Sequence, residues 1–192
     1  MGVDLTRIWL VRHGAIDRTN AAGRRHDPDL TAPGRDEVTA LRGRLELPPA
    51  GVRLRSPAMR SATTAALLGW DDARIVPAWA ERDLGDWEGR PWAQLWDEAP
   101  PQVQHDPAAF VAFTPPGAEP VAELHARVRA ALHALPHVED VVVVTHAGPT
   151  VAAVAAVLDL TPAVAMRLRI GTGTVTRLTR VGDAFTVDAI GA

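Results

Sequence analysis

The stretch Val141-Val142-Val143-Val144-Thr145-His146-Ala147-Gly148 decides the fold. Four consecutive β-branched residues predict a strand suited to burial on both faces, the setting of a strand inside a parallel sheet. The strand stops on Thr145-His146-Ala147-Gly148, and Pro149 opens a helix to about Leu158. Working outward, the apolar run RIWLV over residues 7–11 predicts a second buried strand that stops on Arg12-His13-Gly14. Residues 52–55 predict a third, followed at once by Ser56-Pro57, the pattern of an N-cap with proline in the first helical position, for a helix reaching about Leu68. Ile75-Val76 is a further short strand. Thr31 is placed to cap a helix carrying Val38, Leu41 and Leu45. Val121, Leu124, Val128 and Leu132 fall at helical spacing, and residues 174–180 and 184–190 close the chain as a hairpin. Strands alternating with helices predict the α/β class, a three-layer α/β/α arrangement with a mostly parallel central sheet. The expectation is one domain over 1–192, with a short helical lid or subdomain at about 91–120. There two helical pieces are broken by prolines, the second capped by Asp106 with Pro107 after it.

Composition removes whole chemistries. The 192 residues contain no Cys, Tyr or Lys, so every basic side chain is an arginine. Thiolate nucleophiles, disulfides, cysteine-ligated metals, Schiff bases and the P-loop lysine are all excluded. The only serines, Ser56 and Ser61, do not sit in a nucleophile elbow. A net charge of -3 disfavours nucleic acid as a partner. The amino-terminal stretch lacks a signal-peptide pattern, and the longest apolar run, 151–158, is far short of the ~18 residues of a membrane span. The expectation is a cytoplasmic protein with no membrane partner. The oligomeric state is open, a homodimer being one option.

Seven histidines, the carboxylates and a few threonines remain for catalysis. In a parallel sheet the ligand site lies beyond the carboxyl ends of the strands. Arg12 and His13, Arg60 and His146 all fall there. Two histidines and two arginines so placed suit phosphoryl transfer, where forked donors grip an anion attacked in line. A neutral imidazole serves as nucleophile if its other ring nitrogen donates to a backbone carbonyl, and a second, protonated histidine would stabilise the equatorial oxygens. His133 and His137 have the spacing of a metal pair, but Pro136 interrupts the helix and no third ligand accompanies them, so no metal is expected.

Leu10-Val11-Arg12-His13-Gly14 resembles the signature of the histidine phosphatase superfamily, which includes cofactor-dependent phosphoglycerate mutases, α-ribazole phosphatases and fructose-2,6-bisphosphatases. Further pieces match in order: Asn20-Ala21-Ala22-Gly23-Arg24, Leu30-Thr31-x-x-Gly34, Ser56-Pro57-x-x-Arg60-Ser61-x-x-Thr64-Ala65, Glu81-x-x-Leu84-Gly85-x-Trp87-Glu88-Gly89, Pro116-Gly117-Ala118-Glu119 and Val144-Thr145-His146-Ala147-Gly148. The segment from Gly85 to Trp92 is most similar to α-ribazole phosphatase-like members. The chain departs from the family in the loop after Gly14, in a shorter stretch between Arg24 and Leu30, and in Ala118 and Pro120, where a glycine and a hydroxyl residue are usual.

The resemblance implies a phosphoglycerate mutase-like fold and a phosphoric monoester hydrolase of the histidine acid type that needs no cofactor and acts on a small phosphorylated metabolite. His13 would be the nucleophile that becomes phosphohistidine. Arg12, Arg60 and His146 would complete the phosphate pocket, with donors from Asn20 and the backbone near Gly23. Glu81 would protonate the leaving oxygen. Arg24 and Trp92 are candidate contacts to the rest of the substrate; Trp79, Trp87, Trp92 and Trp96 read first as packing residues, with Trp92 or Trp96 lining an apolar mouth as the alternative. A mutase, a protein phosphohistidine phosphatase and a non-catalytic phospho-ligand binding module are the alternatives.

Overall fold

The computed structural model describes residues 5–17, 19, 23–44, 48, 51–104, 106, 109 and 113–192. Six strands form one sheet: β1 (Leu5–Arg12), β2 (Val52–Arg55), β3 (Arg74–Ile75), β4 (Asp140–Thr145), β5 (Val175–Val181) and β6 (Ala184–Ala189), in the order β3-β2-β4-β1-β5-β6. β1 and β2 pair with β4, and β3 with β2, through parallel ladders, and β5 and β6 add an antiparallel edge beside β1. This is the expected mostly parallel sheet closed by a hairpin.

The valine run explains the layers. Every residue of β4 is buried, and successive side chains point to opposite faces. Val141 and Val143 pack with Leu124, Val128 and Leu132 of α5 (Val121–His133) and Ala152 and Ala153 of α6 (Ala147–Leu158). Val142 and Val144 pack on the other face with Val38 and Leu41 of α1 (Ala32–Arg44) and Ala65 of α2 (Met59–Leu67). Helices therefore cover both faces. Two short helices, α3 (Trp92–Glu98) and α4 (Pro101–Gln104), stand in the 91–120 stretch, and α7 (Pro162–Ala165) follows α6. The second predicted piece, capped by Asp106, rests on Pro107 and neighbours that lie outside the described residues.

Thr31 caps α1 as predicted, its hydroxyl accepting from the Gly34 N–H at 3.2 Å. Ser56 does not cap α2. That helix begins at Met59, later than predicted, because the Ser56 hydroxyl is engaged by His146 at 2.7 Å and takes the Ala58 N–H at 3.2 Å. The first helical N–H, that of Met59, is satisfied by the Asp27 carboxylate instead.

The loop leaving β1 is held by close backbone approach. A Cβ on Gly14 would fall on the Gly34 carbonyl, and a Cβ on Gly34 would fall on the backbone of Ala15, both well inside contact distance. The first turn of α1 thus lies directly against the loop that carries His13. Neither backbone can yield as a flexible side chain would, so Gly34→Ala is expected to destabilise by about 1–3 kcal/mol, the usual cost of overpacking. Thermal melts of the variant beside wild type measure this.

Candidate active site

The carboxyl ends of β1, β4 and β2 bring His13, His146 and Ser56 together. β1 and β4 pair with Arg12 opposite Thr145, and the His13 N–H donates to the Thr145 carbonyl at 3.1 Å. The two imidazoles are consequently neighbours, with ring centroids 5.0 Å apart and planes inclined by 64°. Both rings are buried.

His13 Nδ1 lies 2.8 Å from the Gly14 carbonyl oxygen. A carbonyl only accepts, so Nδ1 carries the proton and the lone pair of the neutral ring is on Nε2. This is the tautomer that a nitrogen nucleophile requires. The Arg12 guanidinium donates to the Ile170 carbonyl, and the Gly173 N–H donates to the His13 carbonyl at 3.1 Å, so the 170–173 loop borders the same site.

Arg60, in the first turn of α2, is fully buried. Its NH1 donates to the His26 carbonyl at 3.3 Å and to Asp27 Oδ1 at 3.1 Å, its NH2 to the Gly23 carbonyl at 2.7 Å, and its Nε to His146 Nδ1 at 3.3 Å. Burial works against the guanidinium charge and lowers its pKa, with Glu81, Asp27 and Glu88 opposing that effect. With NH1 and NH2 donating to the 23–27 loop, Nε is the donor that faces His146.

His146 differs from the expected imidazolium. Nδ1 accepts from Arg60, so the proton of the neutral ring is on Nε2, which donates to Ser56 Oγ. Burial, then the positive neighbours His13, Arg60, Arg12 and Arg127, hold its pKa well below the ordinary histidine value. Both the Arg60 hydrogen bond to Nδ1 and this depression favour the neutral ring over the imidazolium.

Glu81 follows a 3-10 turn at Pro77–Trp79. One carboxylate oxygen accepts the Arg82 N–H at 2.9 Å and the other the Gly148 N–H at 3.4 Å. Gly148 is in the first turn of α6, so the carboxylate also meets the positive end of that helix.

The other predicted contacts divide. The Gly23 carbonyl is taken by Arg60, while the N–H groups of Arg24, Arg25 and His26 all turn to the Glu88 carboxylate, at 2.7, 3.2 and 2.9 Å. Those three backbone donors serve Glu88 rather than the pocket. The Leu84 N–H brings a fourth hydrogen bond to Glu88, at 3.0 Å. Arg24 and Arg25 share the Asp83 carboxylate, at 3.0 Å in each ion pair. Trp92 and Trp96 are exposed, Trp79 is core, and Trp87 stacks on Phe113 at 5.2 Å. Asn20 lies outside the described residues. His133 packs against Phe185, away from any metal-like cluster among the described residues.

Sequence reading missed Ser56 as the partner of His146, Glu88 as the anchor of the 23–26 loop, and Asp27 as the counter-ion of Arg60. The one available signal for Glu88 was its place in the Trp87-Glu88-Gly89 segment of the motif.

Residues 8–192 match the family described as histidine phosphatase superfamily (branch 1). The chain belongs to the histidine phosphatase superfamily. Among solved structures, the mycobacterial glucosyl-3-phosphoglycerate phosphatase Rv2419c in complex with VO3 is similar at 27% identity and a TM-score of 0.82, covering 97% of this chain and 98% of that one. A putative alpha-ribazole-5'-P phosphatase from Escherichia coli shares the fold at 22% identity and a TM-score of 0.85, covering 97% and 96%. YhfR of Bacillus stearothermophilus does so at 24% identity and a TM-score of 0.85, again covering 97% and 96%. No curated protein matches. Membership accounts for the ordered motifs. No helix among the described residues is long and apolar enough to cross a membrane.

The depressed pKa of His146 in this histidine phosphatase fold makes a pH prediction. On unfolding, His146 regains an ordinary imidazole pKa near 6.5. Below that value the unfolded chain takes up a proton that the native residue refuses. Stability is then lost as pH falls, by at most about 1.4 kcal/mol per pH unit for one proton. His146→Gln should accordingly flatten the decline of Tm between about pH 7 and pH 5 relative to wild type. Parallel declines would mean that His146 does not exclude a proton in the native state.

Proposed function

We propose that the protein is a metal-independent phosphomonoesterase of the histidine acid type that hydrolyses a small phosphorylated metabolite through a phosphohistidine on His13. The observation that carries this reading is the Nδ1 hydrogen bond to the Gly14 carbonyl, which assigns the proton to Nδ1 and the lone pair to Nε2 on a buried ring beside His146. Nε2 attacks phosphorus in line, the phosphorus–oxygen ester bond breaks, and the leaving oxygen takes the proton of the Glu81 carboxyl group. The Glu81 carboxylate then removes a proton from water as that water attacks the phosphohistidine, releasing inorganic phosphate and restoring His13. Arg12 and the Nε/NH2 edge of Arg60 meet the charge of the phosphoryl oxygens, a role for which forked donors are suited. An oxygen on that edge takes the Nε–H that His146 now accepts, and His146 Nδ1 is thereby freed to bind a proton and donate in turn.

The VO3 complex of the glucosyl-3-phosphoglycerate phosphatase supports an oxyanion site in this fold. Asn20, Arg24 and Trp92 remain the proposed contacts around and beyond the phosphoryl group. The 91–120 stretch is proposed as a cover within the single 1–192 domain, supported by the Gly117 carbonyl accepting from Arg25 at 3.3 Å.

Phosphate release assays test the reading. His13→Ala should abolish turnover, radioactive substrate should leave acid-labile label on wild type alone, and EDTA should change nothing. For the acid, kcat/KM is the informative quantity, because the later attack of water is common to all substrates. Glu81→Gln should lower kcat/KM about 10²–10⁴-fold for alkyl phosphates but far less for p-nitrophenyl phosphate, whose leaving group needs little protonation.

Gly148 supplies a second route to the same test. A Cβ there would displace the tip of the Glu81 side chain, a flexible group, without striking backbone. Gly148→Ala is therefore expected to reproduce the alkyl-phosphate defect while melting close to wild type. A fully active Gly148→Ala on alkyl phosphates would count against the carboxylate position described here.

A further inference from the structure

Glu81 is held weakly through its own carboxylate. Its contacts there are the N–H of the adjacent residue and one long hydrogen bond at 3.4 Å. The backbone carrying it is held far more firmly, by a side chain that neither the motifs nor the proposed chemistry uses. Arg127, in the second turn of α5, donates from NH1 to the Ala78 carbonyl at 2.8 Å and from NH2 to the Ala80 carbonyl at 2.8 Å and the Glu81 carbonyl at 3.3 Å. Its Nε and NH2 also meet the two oxygens of Glu119, at 2.5 and 2.9 Å.

Glu119 is tied to the same segment from the other side. Its carbonyl accepts from Arg82 Nε at 2.7 Å, and its N–H donates to the Asp83 carbonyl at 2.9 Å. The 78–83 segment thus runs between Glu119 and α5, with the guanidinium reaching three of its carbonyls, those of Ala78, Ala80 and Glu81. α5 is itself packed on α6, the helix whose Gly148 N–H meets the Glu81 carboxylate.

From this geometry we infer that the Glu119–Arg127 pair is a positioning device for proton transfer by Glu81, fixing the height of its backbone so that the carboxyl group meets the leaving oxygen. The inference rests on Glu81 being the general acid. A pair that merely tied α5 to a loop would need only one or two of these bonds and would have no reason to be sensitive to the leaving group. Planarity matters, because one ammonium nitrogen cannot span carbonyls and a carboxylate on opposite sides.

The test is a comparison of kcat/KM for an alkyl phosphate, such as glycerol phosphate, with that for p-nitrophenyl phosphate, in Arg127→Met, Arg127→Lys, Glu119→Gln, Glu81→Gln and the double variant Glu81→Gln/Arg127→Met. Misplacing a catalytic group by about 1 Å costs on the order of 10²-fold. Arg127→Met should lose about that much on the alkyl phosphate and no more than about threefold on p-nitrophenyl phosphate. Arg127→Lys and Glu119→Gln should show smaller losses with the same selectivity, and the double variant should be no worse on the alkyl phosphate than Glu81→Gln alone.

Retained p-nitrophenyl phosphate turnover reports that each variant is folded. Equal losses on both substrates in all three clamp variants, with Glu81→Gln still selective, would overturn the positioning role and leave the acid assignment standing. A non-selective Glu81→Gln would overturn the acid assignment itself, and the positioning role with it. The two failures are separated by that single variant.

Discussion

His13 and His146 lie side by side because β1 and β4 pair in parallel with Arg12 opposite Thr145, so that both strands end at the same height. In a parallel pair the two chains leave the sheet at the same edge, and each must turn there into a loop or helix. β4 turns directly into α6, with His146 as the residue before the first helical turn. β1 turns into a loop pressed against α1. The chemistry of the site is thus a consequence of strand direction. An antiparallel β4 would send its terminal histidine to the far edge of the sheet, whatever the rest of the sequence.

Once the histidines are placed, the dominant constraint is the burial of Arg60. A guanidinium with almost no exposure is costly unless each donor finds an acceptor. The acceptors come from His26, Asp27, Gly23 and His146. The 23–27 stretch has no apolar periodicity to fold it, and its order is electrostatic. Arg60 takes its carbonyls, and Glu88 takes three successive N–H groups from the same stretch. A carboxylate that collects backbone donors and a cation that collects backbone carbonyls together fix both sides of the loop. The same pairing closes the rim, where Asp83 receives Arg24 and Arg25.

The parts legible in the sequence were those governed by local physics. Four valines in a row read as a doubly buried strand because alternate side chains must point to opposite faces, and the structure divides them between two cores. Thr31 read as a cap and is one. Ser56 also read as a cap and is not, since a hydroxyl at a strand end can serve a distant ring as well as a nearby N–H, and spacing cannot tell which wins. His146 was expected as a cation. Its depressed pKa follows from burial and from His13, Arg60, Arg12 and Arg127, an effect of the assembled site that no window of sequence contains. The motifs mark Glu88 and Glu119 but not what they hold, and Arg127 stands in no motif: their partners are distant in the chain or are backbone groups, which carry no residue signature.

The absence of lysine acquires a structural meaning from these networks. Arg60 links a loop to a helix, and Arg127 links a loop to two helical elements. Arg180, a buried residue of β5, donates to the Leu135 and Pro136 carbonyls just beyond α5 and to the Thr6 hydroxyl. In each case one planar group bridges acceptors belonging to different segments, which a single ammonium centre reaches poorly. Arginine therefore serves this chain as an internal strut, apart from any grip on phosphate proposed for Arg12 and Arg60. Residue type cannot separate the two uses. Position can: Arg12 ends β1 and Arg60 stands in the first turn of the helix after β2, both at the end of the sheet where His13 and His146 meet, whereas Arg127 and Arg180 bridge carbonyls elsewhere in the fold.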